Sequence, residues 1–370
     1  MLMRPTVATI HLDRLRKNVQ WIRAQLNPHV KMMAVVKADA YGHGAHKVAE
    51  AALEAGAEFL GVALVEEGMA LRRQGIQAPI LVLGQVPMNQ IAEAIADDLD
   101  MVVFDPLTFD QAVQAGQFLH KPVKIHLKVD TGMGRIGLWP DHFDRVWIER
   151  LRNPAIIFQG LMTHFANADA REERGTKEQV QRFLDVIEMC RENGLEPPFV
   201  HAANSAAALK MPGTQFNLVR IGIAMYGLEA YAPMPADLKP VLELTSQVVF
   251  IKTVDEGFAV GYGSTYITEK PMKIVTVPVG YADGYRRGLS NRAQVLIRGR
   301  RYPVIGRISM DQLTVGMDID DPVAIGDPVV LIGEQGGESI SADDLARLLD
   351  TIGYEIVSGL SPRIPRVYGN

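Results

Sequence analysis

Lys31-Met-Met-Ala-Val-Val-Lys37 is a short apolar run closed by a charge, and it sets the reading of the whole chain. Read as a strand over Lys31–Val36, it is the first of eight similar runs. The others are Glu58–Val62, Pro79–Leu83, Met101–Phe104, Val123–Val129, Ile156–Met162, Phe199–His201 and Leu218–Ile221. Helical periodicity fills the intervals. Leu12, Leu15, Val19, Ile22 and Leu26 recur at spacings of three and four, and Val180, Phe183, Leu184 and Ile187 do the same. Short apolar strands alternating with helices require parallel pairing through helical crossovers. Eight such units in roughly 230 residues fit a (β/α)8 barrel better than an open sheet.

Beyond Met225 the texture changes. Ala232-Pro-Met-Pro-Ala-Asp-Leu-Lys-Pro240 reads as a linker. After it, Leu242–Val254, Lys273–Val279, Ala293–Ile297, Gln312–Val315 and Val329–Ile332 are strand signals separated by glycine turns. Ser341-Ala-Asp-Asp344 then resembles a capping box ahead of Leu345, Leu348 and Leu349. The expected architecture is a barrel over residues 1–235 followed by a mainly β domain over 236–370. A first strand at about residues 5–11, Thr6–His11, is expected to return to the β domain.

Composition narrows the function classes. Hydrophobic residues make up 48% and charged residues 22%, which describes a globular chain and excludes wholesale disorder. A net charge of −5 gives no basic face for nucleic acid. No apolar run approaches the ~20 residues that span a bilayer. Met1–Leu15 mixes charges among its apolar residues and lacks a signal-peptide core, so the expected location is the cytoplasm. Cys190 is the single cysteine, which excludes a disulfide framework and a thiolate metal cage.

Barrels of this type place their sites at the carboxyl ends of the strands. Lys37 follows the first strand there. A lysine closing a strand often reaches solvent. Here Met33, Val35 and Lys37 share one face, and if that face points inward the amine is desolvated. Its pKa then falls from ~10.4 toward neutrality, and a neutral buried amine is what Schiff-base chemistry requires. After the seventh and eighth strands come Asn204-Ser205 and Gly222-Ile223, where such barrels commonly bind phosphate. A hydroxyl and a glycine that lets backbone N–H groups approach are suitable donors. With an inward lysine they suggest a phosphorylated aldehyde cofactor. On the fifth strand Lys124, His126, Lys128 and Asp130 alternate with apolar residues, and a barrel strand has no solvated face. Lys128 is therefore expected to lie buried near Arg135, and two buried cations repel. Either a carboxylate pairs with them or Lys128 is modified.

Other patterns give less. His43 and His46 in a glycine-rich loop are expected to be solvated, and no His/Asp/Glu set has metal spacing. Ser205 lacks a nucleophile-elbow context. Gly132-Met-Gly-Arg-Ile-Gly137 imitates a dinucleotide fingerprint, but Arg135 sits inside it and no acidic residue follows at the right distance.

With these residues assembled, the chain resembles the alanine racemases, pyridoxal-phosphate enzymes with a barrel and a β domain, over essentially its whole length. The segments that carry the resemblance are Ala34-Val-Val-Lys-Ala-Asp-Ala-Tyr-Gly-His-Gly44, His126–Gly137, His201–Ser205, Val219–Gly222, Val260–Gly263, Gly280–Gly284 and Gly306–Asp311. The resemblance implies that Lys37 holds pyridoxal 5'-phosphate and is the base on the D-alanine face, with Tyr262 the base on the L-alanine face. Tyr41, Ser205 and the backbone of Gly222 and Ile223, with Asn204 beside them, would hold the phosphate. Arg220 would face the pyridine nitrogen, and His164 would link Arg220 to Tyr262. Arg135 and the Met310 N–H would receive the substrate carboxylate. Tyr281, Arg287 and Asp311 would line the entrance, with Lys128 supporting Arg135.

Family members are homodimers whose sites take Tyr262, Tyr281 and Met310 from the partner chain. In some relatives a tyrosine near the carboxyl terminus touches the phosphate, and the matching position here is read as Pro362. Racemisation needs a proton removed from one face and another returned to the opposite face, hence two bases. An arginine at the pyridine nitrogen only donates, so the ring stays unprotonated and is a weaker electron sink. A basic-amino-acid decarboxylase shares the architecture without the Gly-Tyr-Gly and Ser-Met-Asp segments. A broad-specificity racemase and a single-domain, non-catalytic pyridoxal-phosphate carrier are the remaining alternatives.

Overall fold

A computed structural model of the protein describes residues 4–369. The chain opens with β1 (Val7–His11) and a helix over Leu12–Gln25. Eight strands follow: β2 (Lys31–Val35), β3 (Phe59–Val62), β4 (Ile80–Gln85), β5 (Asp100–Val103), β6 (Val123–Lys128), β7 (Ile156–Met162), β8 (Phe199–His201) and β9 (Leu218–Ile221). They form one parallel sheet in the order β8-β7-β6-β5-β4-β3-β2-β9. The Arg220 N–H donates to the Ala203 carbonyl at 3.0 Å, and the Asn217 N–H donates to that of Val200 at 3.4 Å. These bonds bring β9 against β8 and nearly close the barrel.

The alternation along each strand explains the two cores. Met33, Phe59, Leu81, Val102, Met162 and Leu218 pack together inside the ring. Met32, Ala34, Leu60, Val82, Leu127 and Leu161 face the surrounding helices and join the main core. Each large side chain so buried stabilises the fold by about 1.5–3 kcal/mol. Asp100, His126, Lys128, His201 and Arg220 fall on the inward positions of their strands, and all are buried. The barrel interior therefore holds an apolar cluster together with a buried polar set.

The first helix buries Leu12, Leu15, Val19 and Ile22 as its spacing requires. In the helix Arg174–Glu192 the buried stripe is Thr176, Gln179, Phe183, Val186 and Cys190. Leu184, read as part of that stripe, is exposed.

The second unit contains a seven-stranded sheet, a three-stranded sheet and a short hairpin. β1 pairs antiparallel with β10 (Leu242–Gln247) and parallel with Arg366–Gly369 in the large sheet. The run Leu242–Val254, read as one strand, is two. β10 lies in the large sheet, while β11 (Phe250–Val254) pairs with Met272–Val277 in the small one. Val248 N–H donates to Asp327 O and Val249 N–H to Thr276 O, both at 3.0 Å, so the chain changes partners at that corner. The capping box forms: Ser341 Oγ accepts from the Asp344 N–H at 3.0 Å, and Asp344 accepts from the Ser341 N–H at 2.8 Å. Strands at Arg300–Pro303, Glu338–Ile340 and Arg366–Gly369 escaped the sequence reading because charged residues interrupt their apolar alternation.

Candidate active site

A cavity of about 550 Å³ opens at the carboxyl ends of the barrel strands. It is lined by Lys37, Tyr41, Lys128, Arg135, His164, Asn204, Ser205, Arg220, Gly222 and Ile223. Ten of the residues singled out from the sequence thus meet at one place, although they span most of the barrel in sequence.

β2 ends at Val35, and Lys37 opens a tight turn in which Ala38, Asp39, Ala40 and Tyr41 all adopt left-handed backbone angles, with φ between 51° and 54°. Such a conformation costs about 1–2 kcal/mol per residue. The surroundings hold it in place. Glu67 accepts from the Ala38 N–H at 2.6 Å, and Asp39 accepts from the Ala45 N–H at 2.8 Å. Arg366, from the carboxyl-terminal strand, donates to the Gly42 carbonyl at 3.0 Å. The turn aims Lys37 at the cavity, where burial and then the Arg135 charge lower its pKa, against a smaller opposing pull from Glu67.

The Ser205 hydroxyl receives the Gly222 N–H at 3.0 Å, and Asn204 caps the following helix by accepting from the Ala207 N–H at 3.0 Å. A Cβ at Gly222 would fall 2.6 Å from the Tyr41 hydroxyl, so glycine is what lets the β9 turn and that phenol approach each other. Burial pushes the Tyr41 phenol far up, keeping it a neutral donor. This cradle of hydroxyls and backbone N–H groups suits a phosphate.

Arg220 is buried and heavily engaged. Its Nη1 donates to His201 Nδ1 at 2.9 Å. Its Nη2 lies against the carbonyls of Thr163 and Ala202 at 2.8 Å and against His164 Nδ1 at 3.0 Å. Its Nε–H takes no partner among the described residues. Burial lowers its pKa to about 10, which still leaves it charged. His164 is held far below the ordinary histidine range, first by burial and then by Arg220, Lys128, Arg135 and Lys37. Since Nδ1 accepts from Arg220, the proton of this neutral ring sits on Nε2. Toward the cavity His164 therefore offers a donor, which stabilises an anionic oxygen.

Lys128 is 4% exposed, and burial followed by the charges of Arg220 and Arg135 lowers its pKa to about 8. No carboxylate among the described residues pairs with it. Asp130, the obvious candidate, is occupied by the backbone N–H groups of Gly132, Met133, Gly134 and Arg135 at 2.8–3.1 Å. Lys37, Lys128, Arg135 and Arg220 thus converge on one cavity, and none makes a salt bridge among the described residues.

Tyr262, Tyr281, Arg287, Met310 and Asp311 lie outside the cavity lining. Tyr262 is 72% exposed, Met310 52% and Tyr281 41%. They are nonetheless grouped. Gly261 packs on Arg307, the Tyr281 N–H donates to Ser309 O at 3.0 Å, and the Ala282 N–H donates to Met310 O at 3.0 Å. Asp311 pairs with Arg363 at 2.7 Å. The Arg287 turn is tied to the same segment through Ser290, whose hydroxyl accepts from the Ile308 N–H at 2.9 Å. One exposed patch of the β domain carries them all.

Two readings are corrected. Pro362 lies in a separate depression on the far side of the Lys37 turn. The tyrosine beside the cradle is Tyr354, from the short helix Gly353–Ser358, its ring 5.8 Å from that of Tyr41. No motif around it marked it in the sequence. His43 is not solvated. It is fully buried against the Tyr226 ring at 4.6 Å and held neutral, its pKa lowered to about 4 by burial.

The chain matches family models described as the alanine racemase N-terminal domain, over residues 10–230, and C-terminal domain, over 241–368. It is 47% identical to the alanine racemase of Symbiobacterium thermophilum, over 99% of this chain and 98% of that one. It is 41% identical to that of Carboxydothermus hydrogenoformans, over 99% and 100%. Among solved structures, the alanine racemase from Bacillus anthracis with bound L-Ala-P superposes with a TM-score of 0.94 at 40% identity, covering 100% of this chain and 96% of that chain. That from Streptomyces lavendulae gives 0.94 at 36%, covering 100% and 98%.

Proposed function

The chain belongs to the alanine racemase family, and from that premise we propose that it interconverts L-alanine and D-alanine with pyridoxal 5'-phosphate held in the barrel mouth, as a homodimer with shared sites. The observation that carries this reading is the convergence of Lys37, Lys128, Arg135 and Arg220, none of them salt-bridged among the described residues, on a cavity that also holds a hydroxyl and backbone N–H cradle. Such a site calls for anions, and the phosphate and the substrate carboxylate are two.

The residues present fit the cofactor. Tyr41, Ser205, Tyr354 and the backbone of Gly222 and Ile223 would hold its phosphate, with Asn204 fixing the helix behind Ser205. Lys37 would hold its aldehyde carbon, and the free Nε–H of Arg220 would meet its ring nitrogen. When bound, the cofactor supplies the electron sink that makes an amino-acid α-proton removable.

Lys37, with its lowered pKa, takes or returns the proton on the D-alanine face. Arg135 grips the substrate carboxylate. The opposite face needs a second base, and the two tyrosines that line the cavity among the described residues, Tyr41 and Tyr354, belong to the phosphate cradle. Tyr262 of the partner subunit fills that role, its phenolate oxygen stabilised by the His164 Nε2–H. The exposed patch with Tyr262, Tyr281 and Met310 supports this assembly, since exposed aromatic and apolar side chains grouped on one face call for a cover. Arg287 and Asp311 border the entrance so formed.

An assay with each enantiomer of alanine, serine and lysine tests the activity, and borohydride reduction with peptide mapping tests the anchor. Racemisation of alanine in preference to the others, with label on Lys37, is the expected result. No racemisation by cofactor-loaded protein, or label on Lys128, would overturn the reading.

A further inference from the structure

Behind Arg220, three buried polar side chains run along the barrel interior away from the cavity, and the proposed reaction gives none of them a task. Asp100 opens β5 at the amino end of the barrel strands, His126 sits within β6, and His201 ends β8. From the cavity inward, Arg220 Nη1 lies 2.9 Å from His201 Nδ1, and His201 Nε2 lies 2.9 Å from His126 Nδ1. His126 Nε2 then lies 3.4 Å from an Asp100 carboxylate oxygen. Both imidazoles are 0% exposed and Asp100 is 2% exposed.

The chemistry of the ends fixes the middle. A guanidinium only donates, a carboxylate only accepts, and a neutral imidazole does one of each. His201 must therefore accept at Nδ1 and donate from Nε2, and His126 must do the same. A second proton on His201 would set N–H against the Arg220 N–H. A second proton on His126 would turn His201 around into the same clash. The row has one permitted arrangement, and it ends on the one carboxylate joined to Arg220 by hydrogen bonds.

The neighbouring strand makes room for it. A Cβ at Gly160 on β7 would fall 2.1 Å from His126 Nδ1, and the β6–β7 register shifts between Ile125 and His126. A backbone that omits a side chain and slips its register where an imidazole crosses is shaped around that imidazole.

We propose that Asp100 and His126 are positioning residues for Arg220. Acting through His201, they anchor Nη1 and supply the negative charge that the guanidinium lacks nearby, so that the Nε–H is the edge left to face the cavity. This rests on the reading of Arg220 as the group that meets the cofactor ring, but the row itself can be examined without cofactor.

Histidine ¹⁵N NMR of the cofactor-free wild type should read His126 and His201 as neutral, with the proton on Nε2 in each. In Asp100→Asn the acceptor becomes uncharged, so both Nε2–H proton resonances should move upfield, including that of His201, which does not touch Asp100. In the loaded enzyme that variant should lower kcat for alanine about tenfold, the scale on which a carboxylate behind a ligand histidine acts. The alanine KM should stay unchanged, because Arg135 rather than Arg220 receives the carboxylate. Asp100→Glu, which keeps an acceptor-only end, should recover most of both effects. A proton on Nδ1 of either ring, a His201 resonance indifferent to Asp100→Asn, or an unchanged kcat would overturn the proposal. So would equal damage from Asn and Glu, which would mean packing alone. Should Asp100→Asn not fold, the wild-type tautomers and the Glu variant decide. A correct row in a protein that does not racemise alanine would contradict the proposed function and leave this inference standing.

Discussion

Arg220 Nη2 sits 3.0 Å from Nδ1 of His164 and so fixes which nitrogen of that ring carries its proton. Burial and the surrounding cations then keep the ring uncharged. Among the described residues His164 is the only histidine lining the cavity, and its state decides what it offers to a phenolate. Because its pKa is lowered, the ring is neutral everywhere above the shifted value. A titration by ¹⁵N NMR should find it unprotonated down to about pH 5, well below the ordinary ~6.5. Protonation near pH 6.5 would contradict the assigned role.

Assembly has its own test. Lys37 lies in the barrel mouth and Tyr262 on the exposed patch of the β domain, so the account requires two chains per site. Lys37→Ala and Tyr262→Phe should each be inactive alone. Mixed under subunit exchange, they should recover activity, since one hybrid arrangement contains one intact site. No recovery after exchange verified by mass spectrometry would mean that each chain builds its site alone.

Lys128 carries a cation where its neighbours are cations and its one nearby carboxylate is spoken for. Carbamate formation resolves this: the neutral amine adds to the carbon of carbon dioxide and releases a proton, exchanging a positive charge for a negative one beside Arg135. Only the neutral amine adds. With a pKa lowered to about 8, incorporation should be rapid above pH 8 and slow as pH falls below it. A ¹³C-carbamate signal after incubation with labelled bicarbonate at pH 8.5, absent from Lys128→Ala, is the expected result. A bare ammonium under those conditions would sink the idea.

The phosphate cradle depends on the absence of one carbon. Gly222→Ala would put a methyl 2.6 Å from the Tyr41 hydroxyl, inside contact distance. Affinity for pyridoxal phosphate, followed by fluorescence quenching of the cofactor-free protein, should fall about tenfold to a hundredfold, or about 1.4–2.7 kcal/mol. Thermal unfolding of the cofactor-free protein should shift little, since the cavity can take up the displacement. Unchanged affinity would remove Gly222 from the cradle.

The barrel was legible because its strands are short, apolar and regularly spaced. All eight appear within two residues of where the pattern sets them, as Ile156–Met162 and Leu218–Ile221 illustrate without any shift. The β domain was less legible. Leu242–Val254 mixes apolar and polar residues with no glycine or proline to interrupt it, and nothing in its composition marks Val248 as the corner where it leaves one sheet for another. Arg300–Pro303 is a strand whose inward residue is Tyr302 alone, so alternation had too few points to register. In the site, residues at strand ends were found because a barrel places chemistry there. Tyr354 was missed because it arrives on a short helix from the other domain. The Asp100–His126–His201 row was missed because hydrogen-bond direction depends on distances that no spacing encodes.

The two-base account meets its most direct test in Tyr262→Phe, with the α-proton of each enantiomer followed separately in deuterated solvent. The substitution removes the phenol and keeps the ring. A free tyrosine has a pKa of ~10 and is a weak base at neutral pH, so its proposed role depends wholly on its neighbours in the assembled site. Racemisation should collapse in both directions, because each direction uses both groups. Exchange into D-alanine should persist, since Lys37 is intact, while exchange into L-alanine should fall by a factor of about 10²–10⁴, the worth of a positioned base. Equal loss for both enantiomers, or none for either, would contradict the account, and Tyr266 would be the next residue to examine.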